Sequence, residues 1–275
     1  MMKPRMINNL TTSSETDFLS AKMGKVLNDS KLDSTLKSYT LYVDSNNGDD
    51  STADGTSSKP FKTITAAYNY LPDFVNSVAI KLKPGDYIET SSIQFYKNIV
   101  NFTLESAEET IAQITCAAND SRDSLIYVSN SHKITIDSIY FSRNDSSGTG
   151  SCINIDCTNF DISNCEFADA SIAIKTSCCN GQIDSCSFEN LYNAINANKA
   201  SNILSTNNET IDNVDYGIIS NGSIVFNYGN DLTGDVEDYI TTMYGRVFNT
   251  DREVAVASVT DSNGNIVNRG GTEII

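Results

Sequence analysis

Three stretches decide the fold: ITIDSIYF (134–141), FDISNCEF (160–167) and GQIDSCSF (181–188). Laid over one another, they share a pattern. Ile136, Ile162 and Ile183 lead it, Ile139, Cys165 and Cys186 follow three residues on, and Phe141, Phe167 and Phe188 close it. The steps are 26 and then 21 residues. A second apolar group follows each copy: Ile153 and Ile155, Ile172 and Ile174, Ala194 and Ile195. Ile174 and Ile195 each lie seven residues after their Phe, and Ile211 and Ile218 keep that separation in a degenerate fourth copy. Cys157 with Cys178, and Asn159 with Asn180, also recur at 21. The apolar residues alternate, which is the period of a strand. A step near 21 residues, made of short strands and Asn/Ser/Asp/Gly turns, suits one coil of a parallel β-helix. Equivalent residues of successive coils then stack about 4.8 Å apart. Apolar and Cys columns are predicted inside, and Asn ladders at the turns. The alternative, an antiparallel sandwich of irregular strands, does not account for the recurrence.

The rest of the chain fits around this core. Its 275 residues allow one or two domains. Lys and Arg number 19 against 35 Asp and Glu, a net charge of −16. Such a surface repels nucleic-acid phosphates and anionic membranes, so neither is an expected partner. There is no run of 18 apolar residues, and hence no expected membrane span. MMKPRMINNLTTSS lacks the apolar run of a secretory signal, so folding in a cytoplasm is expected. Seven cysteines, an odd number, favour free thiols.

Three regions are predicted. Residues 1–40 hold a short helix with good N-cap residues at Ser14–Asp17 and one apolar stripe, Leu19, Met23 and Val26. So short a helix needs a partner: the remaining chain, a copy of itself or another protein. Residues 41–230 form the solenoid, with a helix at 60–71, from Pro60 to Leu71, capping its open end. After about Asn230 the repeat is lost. Residues 231–275 read as a β-rich tail with an Asn263-Gly264 turn, a cap or an assembly element. The loop SRNDSSGTGS (142–151) makes the 26-residue step longer than the next. Such insertions often form binding surfaces. Arg143, Asn144 and Asp145 can hydrogen-bond hydroxyl-rich ligands there, with Tyr140 as a flat apolar face; a tolerated surface insertion is the other reading. The Asp/Asn loop 44–54 is rich in oxygen ligands, but its spacing is not that of an EF-hand and turns favour the same residues, so no metal site is expected. Cys165 and Cys186 replace apolar positions and are expected in the core. No cofactor motif is present.

Two segments resemble known families. LYVDSNNGDDSTADGTSSKPFKTITAAYNYLP followed by VAIKLKPGDYIET resembles the opening of right-handed β-helices of the pectin-lyase-like superfamily, through Gly55-Thr56, Pro60-Phe61, Thr63-Ile64 and Pro84-Gly85-Asp86-Tyr87. INNLTTSSETDFLSAKMGKVLND resembles a short module of bacteriophage fibre proteins, through Asn9-Leu10-Thr11, Asp17, Leu19-Ser20-Ala21 and Gly24-Lys25; Phe18 and Met23 depart from the usual Ala and Gln. Together they imply an all-β, right-handed parallel β-helix in a virion fibre or tailspike-like protein. The implied protein is often a homotrimer joined to other virion proteins through residues 1–40, with host surface polysaccharide as a possible partner. Many β-helices with this opening cleave polysaccharides, and glycoside hydrolysis needs two carboxyl groups roughly 5 Å or 6.5–9.5 Å apart. Glu166, Asp137 and Asp184 are the candidates; a solvated acidic face is the plainer reading. The sharper signatures of the superfamily are missing. The Asp-Asp is Asp49-Asp50 in the opening loop, Asn249-Thr250-Asp251 lies past the repeat, and His132 follows Ser131 in place of Gly. Arg143 near Asp145 is a weak match to a lyase-type arginine. A non-enzymatic fibre is therefore expected, with a depolymerase as the alternative.

Overall fold

The computed structural model describes residues 37–89, 91–108, 110–116, 122–129, 131–143, 150–230, 236–243 and 246–249. The expected helix with Leu19, Met23 and Val26 lies outside the described residues, as do Asn144 and Asp145. The chain runs through β1 (Ser38–Val43), α1 (Ile64–Tyr70), β2 (Phe74–Leu82), β3 (Asp86–Ile88), β4 (Ile93–Phe95), β5 (Asn98–Ser106) and β6 (Ala112–Thr115). It continues through β7 (Ser124–Ser129), β8 (Lys133–Asp137), β9 (Ile139–Ser142), β10 (Ser151–Asp156), β11 (Asn159–Ser163), β12 (Glu166–Ser177), β13 (Asn180–Asp184) and β14 (Ser187–Asn198). It ends with β15 (Asn202–Thr206), β16 (Glu209–Asn221), β17 (Ile224–Tyr228), β18 (Val236–Met243) and β19 (Arg246–Asn249).

The strands stack as a parallel β-helix. One sheet has nine strands in the order β1-β2-β5-β8-β11-β13-β15-β17-β19, and the other has ten. Asn159 pairs with Asn180, Asn180 with Asn202, Asn202 with Ile224 and Ile224 with Arg246, steps of 21, 22, 22 and 22 residues. Earlier coils are longer: Ser38 pairs with Ser77 and Phe102 with Ile134, steps of 39 and 32. Stacking fixes the strands and leaves loop length free. The coils also run past Asn230, where the sequence pattern fades. Ile218 pairs with Ile240 and Val225 with Val247, so β18 and β19 add another parallel layer.

From Ser138 onward the coils turn three corners, each a column of residues in the left-handed region. The first holds Ser138, Asn164, Ser185 and Asn207, with φ between 52° and 56°. The second bends β12, β14 and β16 at Asp169, Asn190 and Asn213, all with φ of 51°. The third holds Cys157, Cys178 and Lys199, with φ of 50°, 57° and 52°. Asn and Asp tolerate this conformation better than other side chains. They also ladder: Asn190 Nδ2 donates to Asp169 Oδ1 at 3.2 Å, and Asn213 Nδ2 to Asn190 Oδ1 at 3.2 Å.

The interior repeats what the three stretches predict. The rings of Phe141 and Phe167 stack at 5.2 Å and 8°, and those of Phe167 and Phe188 at 5.5 Å and 13°. Ile136, Ile162 and Ile183 share a second column, and Cys165 and Cys186 are buried. One coil later all three columns turn polar. Ile183 gives way to Ser205 and then Asn227, and Phe188 to Thr210. Asn208 and Asn230 extend the Cys column. Asn208 Oδ1 accepts from the Cys186 N–H at 2.8 Å, and Asn208 Nδ2 donates to Ile183 O and Ser205 Oγ, both at 3.0 Å. Asn230 Nδ2 donates to Ser205 O at 3.0 Å. Buried amides are tolerated because these hydrogen bonds replace those lost to water.

The helix at the open end is α1, shorter than the expected 60–71. Thr63 caps it, accepting from Ala66 N at 3.1 Å. The Glu89 carboxylate accepts from Ile64 N at 2.7 Å, and the Lys97 ammonium donates to Tyr68 O at 3.0 Å and Asn69 O at 3.2 Å. Acid at the start and base at the end match the helix dipole. Tyr68 packs on Phe95 at 4.9 Å and Phe102 at 5.9 Å, closing the core. Among the described residues no helix is long and apolar enough to cross a membrane.

Candidate functional site

Asp137 and Asp184 end equivalent strands two coils apart, with Ser163 between them in register. Their surroundings are almost the same. Asp137 accepts from Ser163 Oγ at 2.7 Å, Asn164 Nδ2 at 2.8 Å and Ser138 Oγ at 3.0 Å. Asp184 accepts from Thr206 Oγ1 at 2.5 Å, Asn207 Nδ2 at 2.9 Å and Ser185 Oγ at 3.1 Å. Each carboxylate clamps the first corner of the coil above it. Ser163 stands between the two in the column and donates to Asp137, so these hydrogen bonds tie successive coils together.

The hydrogen bond from Thr206, aided by Asn207 and Ser185 and opposed by desolvation, holds the Asp184 carboxyl below its ordinary 3.8. A lowered folded-state pKa gives stability that is present above 3.8 and lost as pH falls through the folded value. Unfolding midpoints in urea are therefore expected to fall on the acid side of 3.8 more steeply for the native sequence than for Asp184→Asn. An equal acid dependence in both would show that the clamp does not favour the ionised form. Asp44, Asp49 and Asp54 shift the same way, each accepting from the N–H two residues on. These loop carboxylates are thus turn-formers. A carboxyl held in its ionised form, as Asp184 is, is the opposite of what a general acid needs.

Glu166 and Tyr140 do come together. They pair in register on β12 and β9, with Ser187 and Glu209 continuing the outward column. Glu166 is exposed and Tyr140 half-buried. Burial first, then the nearby Asp169 and Glu189 carboxylates, push the Tyr140 hydroxyl above its usual range, and the Ser142 hydrogen bond opposes them. The result is an acidic outer strip with one aromatic ring in it.

Arg143, expected with Asn144 and Asp145 at a binding surface, has its side chain buried. It is 2% exposed. Its Nη2 donates to Arg122 O at 2.7 Å and its Nη1 to Ser151 O at 3.4 Å. A Cβ at Gly150 would meet the guanidinium carbon at 2.3 Å. Backbone carbonyls of Arg122 and Ser151 hold this cation inside the wall. The loop's length in the sequence does not say which way its first residue points.

Two surface features were not read from the sequence. A groove of about 310 Å³ runs along the third corner, lined by Ser131, His132, Cys157, Thr158, Asn159, Cys178 and Asn180. The recurrence of Cys157 and Cys178 at 21 residues was its sequence signal. On β15 and β17, Leu204 and Phe226 pair in register and are 39% and 47% exposed, with Tyr228 beside them. Their 22-residue spacing was the signal.

Together the parallel layers and the capping helix define a capped parallel β-helix. Among solved structures, a rhamnogalacturonan lyase matches with a TM-score of 0.54 at 15% identity, covering 81% of this chain and 66% of that one. The chain thus spans slightly less than two thirds of that protein's length. A pectin methylesterase from Aspergillus niger matches at 14% identity over 82% of this chain and 93% of that one, with a TM-score of 0.39. No match was found among the curated proteins. The second finding falls at the start of β1: residues 6–38 match the family model of phage tail fiber repeats, and that strand begins at Ser38.

Proposed function

We propose that this chain is a structural fibre protein of a phage virion, assembled in the host cytoplasm, trimeric, and in contact with host surface glycans. The observation that carries the reading is the junction at Ser38. The fibre repeat spans residues 6–38, and β1 of the solenoid begins at Ser38. An attachment segment thus feeds directly into a stiff rod. The exposed Leu204 and Phe226 pair supports self-association, because paired apolar side chains on an outer sheet face gain from being covered. The outer strip at Tyr140 and Glu166 supports glycan contact through an aromatic face beside hydrogen-bonding groups. Repetition around a trimer and along a particle turns weak contacts into firm attachment.

The likeness in fold to a rhamnogalacturonan lyase favours the depolymerase as the second reading. Incubating the chain with host surface polysaccharide, and measuring bound fraction and polymer length together, separates the two. The fibre reading expects binding weakened several-fold by Tyr140→Ala, with polymer length unchanged. Shortened polymer, with shortening abolished in Glu166→Gln, would instead establish the enzyme.

A further inference from the structure

We infer that Cys157 and Cys178 form a dithiol site that small disulfides of the glutathione class oxidise to a covalent staple between neighbouring coils. Both thiols are exposed, whereas Cys116, Cys152, Cys165, Cys179 and Cys186 are buried. They occupy the same place in successive coils. Asp156 and Ser177, which precede them, pair in register, and the Cys157 N–H donates to Ser177 O at 2.9 Å. Neighbouring parallel strands lie about 4.8 Å apart, inside the roughly 4.4–6.8 Å range of Cα separations that a disulfide bridges. Desolvation first, then the neighbouring Cys178 thiol, hold the Cys157 thiol above its ordinary value, so the exchange is expected to quicken in mildly alkaline buffer. Both line the groove at the third corner, which gives a small reagent a place to approach.

Conformation does not explain cysteine here. The other two corner columns use Asn, Asp and Ser, which suit or tolerate the left-handed region. Cys157 and Cys178 take φ of 50° and 57° without a side-chain amide or carboxylate to ladder. Cys165 and Cys186 serve as an internal comparison. They also sit in successive coils, but both are 1% exposed, so a reagent in solution cannot reach them.

The chemistry balances. One Cys thiolate attacks the disulfide reagent, whose S–S bond breaks and releases one thiol, leaving a mixed disulfide on the protein. The second Cys thiolate attacks the protein sulfur and expels the other thiol. The pair loses two protons and two electrons, and the reagent is reduced to two thiols. In a reducing cytoplasm the site stays open, and an oxidising exterior closes it.

The test uses the full chain, reduced, freed of reductant and incubated with glutathione disulfide, then quenched by acid and alkylation. Mass spectrometry is expected to find the folded protein lighter by two hydrogen atoms, with Cys157 linked to Cys178 as the dominant product. Cys157→Ser and Cys178→Ser should each keep one glutathione on the remaining exposed thiol. Two stable glutathione adducts on the native sequence would overturn the proposal, because they show thiols that cannot meet. A link between two chains, seen as a dimer without reductant, would overturn it as well.

Discussion

Phe167→Ala is expected to lower the stability of the folded chain by about 4–5 kcal/mol, near the upper end for truncating a buried phenylalanine. Phe167 is 1% exposed and has a stacked ring on each side, Phe141 at 5.2 Å and Phe188 at 5.5 Å. Truncation removes its burial, leaves a void between two rigid layers and ends two ring contacts, each contributing roughly 0.5–1.5 kcal/mol beyond area. Neighbouring rings cannot collapse into the void, because each is fixed by its own coil. Phe188→Ala provides the comparison. Its column neighbours are Phe167 and Thr210, so it loses one ring contact. Its cost should be smaller than that of Phe167→Ala by about one such contact. Both are read from unfolding midpoints in urea. If Phe188→Ala costs as much or more, stacking along the column does not set the stability of these coils.

How much of this was legible depended on which columns stayed apolar. Ile136, Ile162 and Ile183, with Phe141, Phe167 and Phe188, showed the repeat because three coils in succession keep the same residue type at the same inward position. Where Ser205, Asn208 and Thr210 replace Ile183, Cys186 and Phe188, the apolar pattern disappears although the backbone continues unchanged. The coils therefore seemed to stop near Asn230, whereas the pairing of Ile224 with Arg246 carries them further. The early coils hid for another reason. Loops that stretch their steps to 39 and 32 residues leave no fixed period to find, and they were placed instead by the Pro60-Phe61 and Pro84-Gly85 turns. For the site, a sequence gives the outward alternation that sets Glu166 beside Tyr140. It does not give the hydrogen bonds that occupy Asp137 and Asp184, since those come from hydroxyls and amides one coil away. Nor does it give the inward turn of Arg143, which depends on carbonyls contributed by Arg122 and Ser151.

Removing residues 1–36 is expected to leave the solenoid folded and to reduce its incorporation into particles to background. The cut must fall before Ser38. Strand β1 pairs with β2 from Ser38↔Ser77 to Val43↔Leu82, and Val43 also bridges to Phe61. Leu41 and Val43 are 3% and 0% exposed, each side chain contributing roughly 1.5–3 kcal/mol by burial. A deletion through residue 43 therefore strips the first layer and uncovers β2, so loss of assembly in that variant would only report unfolding. The shorter deletion separates the two causes. Its thermal midpoint should match that of the full chain, because the described contacts of β1, α1 and β2 all survive it. Incorporation is then measured by supplying truncated or full-length chain to particles assembled without their own copy, and probing the purified particles for it. A folded, truncated chain that still enters particles at the full-length level would move attachment away from the fibre repeat. The exposed Leu204 and Phe226 face would then be the better place to look, because it is apolar, outward and within two layers of the far end of the described solenoid.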